Sequence, residues 1–377
     1  MTESLLMRDE TLFRRPELFD PTFLPDDRSE ILHRGSQIDG LAFALRPAAL
    51  GQGRPVNSLL VGSVATGKTT VVRTLFKELE EESTRLVPVY VNCQVNATRY
   101  LVASHMFKAL FGHMPPHSGY SFQKLFERVA RRLAEEKKSM VVALDDIQYL
   151  FREKEVDAVL NALLRAHEVQ EGAVVGVVAI YSGERLDYPF DAPVASVFVP
   201  EEILFPRYTR DQVRDILGMR VKEGFFPGAL PDGVLERVVD VTTDAGDLRV
   251  GIDLLRRSAL RAESQARRKV EVADVEDAFT KSRALRTSSL LQGLRKEEKV
   301  LLRLIAENEA RAGDLQKRFQ AETGLGYTSF HDTLKRLESL DLVQVGFTGK
   351  GTKGRSRLPR LSSKLSKDEV LRVLSPA

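Results

Sequence analysis

The sequence predicts an α/β protein in three parts: a parallel-sheet domain around a phosphate-binding loop, a helical domain, and a winged helix at the C-terminal end. Three observations carry this reading. Short Val- and Leu-rich runs alternate with amphipathic stretches as far as about residue 200. The octet Gly62-Ser63-Val64-Ala65-Thr66-Gly67-Lys68-Thr69 stands between one such run and one such stretch. The last part of the chain reads as three helices followed by two strands around a basic turn.

The chain has 377 residues, too many for one compact domain, and divides by its patterns into residues 1–200, 201–288 and 289–377. Hydrophobic residues make up 43% and charged residues 29%, an ordinary globular balance. No apolar run approaches the roughly 20 residues that cross a bilayer, and Glu3, Arg8, Asp9 and Glu10 break up the apolar block a signal peptide needs. A cytoplasmic protein without a membrane partner is expected. Cys93 is the lone cysteine, which excludes a disulfide framework and a cysteine zinc site. The net charge of +3 is unevenly spread: residues 283–377 hold 19 Lys/Arg against 11 Asp/Glu, a net of +8 on a body of net −5. A basic end on an acidic body fits one part facing a polyanion, or a solvated charged surface.

Residues 58–61, 86–91, 140–144 and 173–180 are short and β-branched or Leu-rich, the mark of buried strands. Between them, residues 69–82, 100–111, 121–136 and 156–169 carry helical spacing, and 36–45 begins a helix after a polar, proline-interrupted start. Alternation of this kind predicts a parallel sheet covered on both faces, ending near Pro200. Beyond it the strand signal stops. Thr209 with Gln212 makes a capping-box pattern, and helices are expected over 232–240, 247–266 and 272–281. The last unit places helices at 296–307, 312–322 and 328–340 and a strand at 342–347.

The octet matches G-x-x-x-x-G-K-[ST] completely, in the strand-then-helix setting that the motif requires. Gly62 and Gly67 let the backbone curl so that successive N–H groups point at phosphates, and the helix that follows adds its positive end. Lys68 is expected to reach the β and γ phosphates of ATP or ADP. The Thr69 hydroxyl is expected on Mg²⁺, with Thr70 closing the loop's contacts. The companion is Val141-Val142-Ala143-Leu144-Asp145-Asp146, four apolar residues and two acids. Asp145 would hold Mg²⁺ through water and Asp146 would act as general base.

In this order and spacing the chain resembles the archaeal origin-recognition (Orc/Cdc-type) replication initiators, AAA+ ATPases with a winged helix. The resemblance rests on Leu24-Pro25-Asp26-Asp27-Arg28, His33-Arg34, Arg54-Pro55-Val56-Asn57, Val91-Asn92-Cys93-Gln94, Thr98-Arg99-Tyr100 and Gly246-Asp247-Leu248-Arg249-Val250-Gly251. It implies that Arg249 is the sensor-two arginine, leaning from the helical lid onto the γ-phosphate. It also implies double-stranded origin DNA as partner in the nucleoid, with the replicative helicase and further initiator copies beside it. Three positions depart from the family pattern. Asp146 stands where a Glu is usual, Ser182 where sensor one is usually Asn, and Pro193 where some members place an arginine finger. Together they imply a slowly hydrolysing, nucleotide-held switch.

In the last unit, Leu301, Leu304 and Ile305, then Leu315 and Phe319, then Phe330, Leu334, Leu337 and Leu340 form the apolar faces of the three helices. Thr328, Ser329, His331, Asp332, Lys335 and Arg336 lie on the third helix's other face, able to meet bases or phosphates. Lys350, Lys353, Arg355 and Arg357 punctuate a Gly-rich turn fit to lie along a phosphate backbone. The stretch 96–119, with Arg99, His105, Lys108 and His117, reads either as an ordinary packing helix or as a second DNA contact. Three functions compete: an origin-binding initiator, an ATP-binding transcriptional or regulatory switch (a diverged paralogue included), and a remodelling or clamp-loading ATPase, which Pro193 disfavours.

Overall fold

Two separate apolar clusters lie on the two sides of one sheet, and that arrangement explains why the strand segments are apolar at nearly every position. The structure, a computed structural model, describes residues 11–25, 27–116, 120–152, 154–308, 310–340, 342–347, 357–362 and 365–374. Strands β1 (Ser58–Gly62), β2 (Leu86–Asn92), β3 (Ser139–Asp145), β4 (Val174–Ser182) and β5 (Glu201–Leu204) are all parallel, in the order β2-β3-β4-β1-β5. Side chains alternate between faces. Leu59, Val61, Met140, Val142 and Leu144 join one cluster, and Leu60, Val141, Ala143, Val178 and Ile180 the other. With both faces covered, Ser58, Ser139, Asp145 and Ser182 of the central strands stand at strand ends.

The covering helices are α1 (Gly35–Ala49), α2 (Lys68–Glu82), α3 (Arg99–Phe111), α4 (Phe122–Glu136), α5 (Gln148–Arg152), α6 (Val156–Leu164), α7 (Ala166–Val169) and α8 (Ala192–Ala195). The single helix expected over 156–169 is two, because Arg165 leaves helical geometry at φ −105°, ψ 23°. The sheet does not end near Pro200. β5 extends it along the free edge of β1, and it escapes notice because only Ile203 of its four residues is buried.

Helices α9 (Arg210–Gly224), α10 (Asp232–Ala245), α11 (Leu248–Ser264) and α12 (Val272–Gln292) follow. Both arms of the Thr209–Gln212 capping box are made. The N-terminal segment packs on these helices. Phe19 lies 4.4 Å from the Phe225 ring and Phe13 5.1 Å from it, and the Arg14 and Arg15 amides donate to Gly224 O. A side chain at Gly224 would strike the Phe19 ring. Residues up to Val275 form one compact unit and those from Glu276 a second. α12 runs well past residue 281, where the apolar spacing stops but the backbone stays helical.

The second unit holds α13 (Lys296–Glu307), α14 (Ala312–Thr323), α15 (Tyr327–Ser339), the antiparallel pair β6 (Val343–Phe347) and β7 (Arg357–Leu361), and α16 (Lys367–Leu374), which the sequence reading lacks. Leu301, Leu304, Leu315, Phe319, Phe330, Leu334 and Leu337 form its core with Val370 of α16. Leu340, expected in that core, is 38% exposed, because α15 ends at Ser339 and its cap residue turns out of register. Among the described residues no helix is long and apolar enough to cross a membrane.

Candidate functional site

The C-terminal ends of β1 and β3 open into one cavity of about 450 Å³, walled by the sheet, the N-terminal segment, α9 and α11. This is where an open parallel sheet places its ligands. Its lining is mixed in chemistry: Phe23, Leu24, Ile31, Ile216 and Met219 are apolar, while Lys68, Thr69, Asp145 and Arg249 are polar or charged.

The loop from Gly62 to Lys68 is built by local geometry. Gly67 caps α2 at φ 91°, a left-handed conformation that glycine takes without strain. At Gly62 an added Cβ would collide with the Phe205 carbonyl of the chain leaving β5. Thr66 Oγ1 donates to Ser63 O at 2.9 Å, closing the turn that also carries Val64 and Ala65. Lys68 is 4% exposed, and its ammonium donates to Gly62 O at 2.7 Å and Ser63 O at 2.8 Å. Burial lowers its pKa to about 8, against the pull of Asp145. Thr70, in the first turn of α2, lines the cavity, and Ser63 Oγ on the loop accepts from Arg207.

Thr69 Oγ1 donates to Asp145 Oδ2 at 2.8 Å, and Tyr90 OH donates to the same oxygen at 2.6 Å. Burial raises the Asp145 pKa, which these hydrogen bonds oppose. Tyr90 is pushed well above the usual phenol range, first by burial and then by its bond to Asp145. A hydroxyl and a buried carboxylate turned to each other at the cavity floor form an all-oxygen donor set, the kind that suits Mg²⁺. Asp146 takes φ 53°. Its Oδ1 accepts from Ser182 Oγ and from Gln148 Nε2, each at 2.9 Å. Arg249 faces the cavity, with its guanidinium paired to Asp247 at 3.0 and 3.1 Å. The structure thus brings Lys68, Thr69, Asp145, Asp146, Ser182 and Arg249 to one cavity.

Tyr90, Gln148 and the cavity-lining residues of the N-terminal segment escaped the sequence reading. Tyr90 left one signal, a hydroxyl inside an apolar run; Gln148 left none.

In the second unit Thr328 and Lys335 are exposed on α15, and Ser329 and His331 are half-buried beside them. His331 packs edge-on against the exposed Tyr327 ring at 4.3 Å. Arg336 turns instead to the buried Glu298, Nε to Oε1 2.5 Å, so its charge is engaged within the domain. Arg357 is exposed at the start of β7. Lys350, Lys353 and Arg355 lie outside the described residues, as does His117. Of the 96–119 stretch, α3 buries Val102, Ala103, Met106 and Phe107 in the sheet's core, leaving Lys108 exposed.

Comparison with known proteins adds the family. A profile described as AAA ATPase domain matches residues 30–177, and one described as Cdc6 AAA+ ATPase-type lid domain matches residues 214–280. ORC1-type DNA replication protein 2 of Methanosarcina mazei is 44% identical over 374 residues, covering 99% of each chain. The chain belongs to the ORC1-type DNA replication proteins. ORC1-type DNA replication protein 6 of Halobacterium salinarum is likewise 44% identical, over 96% of each chain. The structure of the Aeropyrum pernix ORC1 protein in complex with DNA superposes with a TM-score of 0.78 at 28% identity, covering 98% of both chains. The fold of this ORC1-type protein is therefore an AAA+ domain with a helical lid, followed by a winged helix. Pro193 lies exposed on the four-residue α8.

Proposed function

We propose that this ORC1-type protein is an ATP-dependent replication initiator that binds double-stranded origin DNA and helps recruit the replicative helicase. The convergence of Lys68, Thr69, Asp145 and Arg249 on one cavity carries the nucleotide part of this reading. In it, the nucleotide's base lies against the apolar lining residues and its phosphates against residues 62–70. Lys68 leaves the Gly62 and Ser63 carbonyls for the phosphates, a stronger charge-assisted partner. Thr69 and Asp145 would hold Mg²⁺, which supplies charge neutralisation on the phosphates. Arg249 exchanges Asp247 for the γ-phosphate and so draws the lid over the site. Asp146 receives a proton from the attacking water, held in place by Ser182 and Gln148.

Hydrolysis is slow in this reading and acts as a switch, since Asp146 is one methylene shorter than Glu and both its partners grip a single oxygen. Thr328, Ser329, His331 and Lys335 meet the duplex, with the cations Lys350, Lys353, Arg355 and Arg357 along its phosphate backbone. The likeness to an ORC1 protein solved with DNA supports that assignment. The same three departures, Asp146, Ser182 and Pro193, favour a second reading as a regulatory paralogue that binds ATP and DNA without loading helicase.

Chromatin immunoprecipitation with sequencing in the native host separates the two. The experiment compares wild type with a variant carrying Lys353→Ala, Arg355→Ala and Arg357→Ala. Discrete peaks at a replication origin, lost in the variant, are expected. Peaks at promoters, or peaks indifferent to the substitutions, would overturn the initiator assignment.

A further inference from the structure

A second buried cation lies beside the phosphate-binding loop. Arg34, the residue before α1, is 1% exposed, and among the described residues no carboxylate pairs with it. Its guanidinium lies over the Tyr208 ring at 3.8 Å. Nε donates to Thr66 O at 2.8 Å, and the two terminal nitrogens donate to His33 O at 2.9 Å and Pro206 O at 2.8 Å. An added Cβ at Gly67 would stand 2.8 Å from Tyr208 OH, so loop, ring and guanidinium are in close contact.

Burying a cation against carbonyl dipoles alone is costly, and a merely structural role would be filled better by an apolar side chain. The geometry shows what the arrangement does instead. A trans peptide points its C=O and its N–H in opposite directions. By holding the Thr66 carbonyl, Arg34 also fixes the direction of the Gly67 N–H of the same peptide. The other arm ends on Pro206, and the stacked ring belongs to Tyr208, the residue before the Thr209 cap of α9. One guanidinium therefore grips both the loop and the hinge between the sheet and the lid. Arginine suits this position and lysine does not, because only the planar fork serves three acceptors and a ring together.

We propose that Arg34 is a positioning residue of the nucleotide site: it aims the Gly67 amide at the phosphates and couples that amide to the hinge of the lid. The inference rests on the nucleotide reading above. If Arg34 has this role, lid movement shifts Pro206 and Tyr208, tilts the Thr66–Gly67 peptide through Arg34, and changes the grip on phosphate.

The test uses the full-length chain with Arg34→Lys and Arg34→Met. Binding of Mg·ADP and Mg·ATP is measured by calorimetry, and hydrogen exchange is followed in peptides covering residues 62–70 and 210–224. Arg34→Met is expected to weaken both nucleotides by about tenfold or more, the loss of one well-aimed hydrogen bond to a charged group. Arg34→Lys, which keeps charge but not the fork, should fall between it and wild type. Added ADP should slow exchange in both peptides of wild type, and less so at residues 210–224 in Arg34→Lys. Wild-type affinity in Arg34→Lys and Arg34→Met, or a fall in the nucleotide-free melting temperature with affinity intact, overturns the proposal. Should Arg34→Met not fold, Arg34→Lys decides by the same criteria. Failure of the wild type itself to bind either nucleotide overturns the nucleotide reading, and this inference with it.

Discussion

Replacing Lys68 by Met should stabilise the nucleotide-free protein while abolishing its response to nucleotide. Lys68 is 4% exposed, and burial brings its pKa from 10.5 to about 8. At about 1.4 kcal/mol per unit, that displacement is a penalty of about 3 kcal/mol on the folded state while the lysine is charged. The sign follows from proton binding. The folded chain holds this proton less tightly than the unfolded chain, so stability rises with pH between about 8 and 10.5. The penalty is complete below pH 8 and gone above 10.5. Met keeps the stem's volume and carries no charge, but forfeits the bonds to Gly62 O and Ser63 O, worth about 1 kcal/mol in net terms. The variant should therefore be about 2 kcal/mol more stable than wild type at pH 7, with the advantage shrinking towards pH 10.5. Denaturant titrations of nucleotide-free protein at pH 7, 9 and 10.5 measure this difference. Excess Mg·ADP at about 100 times Kd should then reverse the order, adding about 2.7 kcal/mol to wild type and nothing to the variant. A variant less stable than wild type at pH 7, or a difference that does not change with pH, would refute the reasoning.

Asp145→Asn should leave ATP affinity in EDTA near that of wild type and remove the tightening produced by Mg²⁺, as measured by calorimetry. Asp146→Asn should lower ATP turnover by about a hundredfold or more with ADP affinity unchanged, since it removes the proton acceptor but no phosphate contact; single-turnover hydrolysis checks it. Phe319→Ala should cost the second unit about 3–5 kcal/mol, because the ring is fully buried and packs edge-on against Phe330 at 5.7 Å. Its melting transition should drop, and duplex binding should be lost while nucleotide binding survives. Lys335→Ala should reduce the salt dependence of duplex binding by about one unit of slope, across all sequences alike. An unchanged slope would take Lys335 off the DNA.

The parts of this protein written in contiguous residues could be read from the sequence alone. The phosphate loop is one octet whose glycines, lysine and threonine act through local backbone geometry, and the central strands announce themselves because both faces of the sheet are buried. The all-parallel sheet and the apolar stripes of α13, α14 and α15 follow from periodicity in the same way. β5 and α16 did not, since an edge strand with one buried residue and a short terminal helix bury too little to leave a pattern. Partnerships across long separations belonged to the tertiary structure. Tyr90 meets Asp145 because β2 lies beside β3, and Ser182 meets Asp146 because β4 flanks β3 on its other side. Arg34 reaches Pro206, 172 residues away, and Arg336, a surface cation by its spacing, turns to Glu298. The identities of these residues make such bonds available; strand order and packing choose among them, because the strength of a buried polar contact depends on which partner the fold brings within about 3 Å.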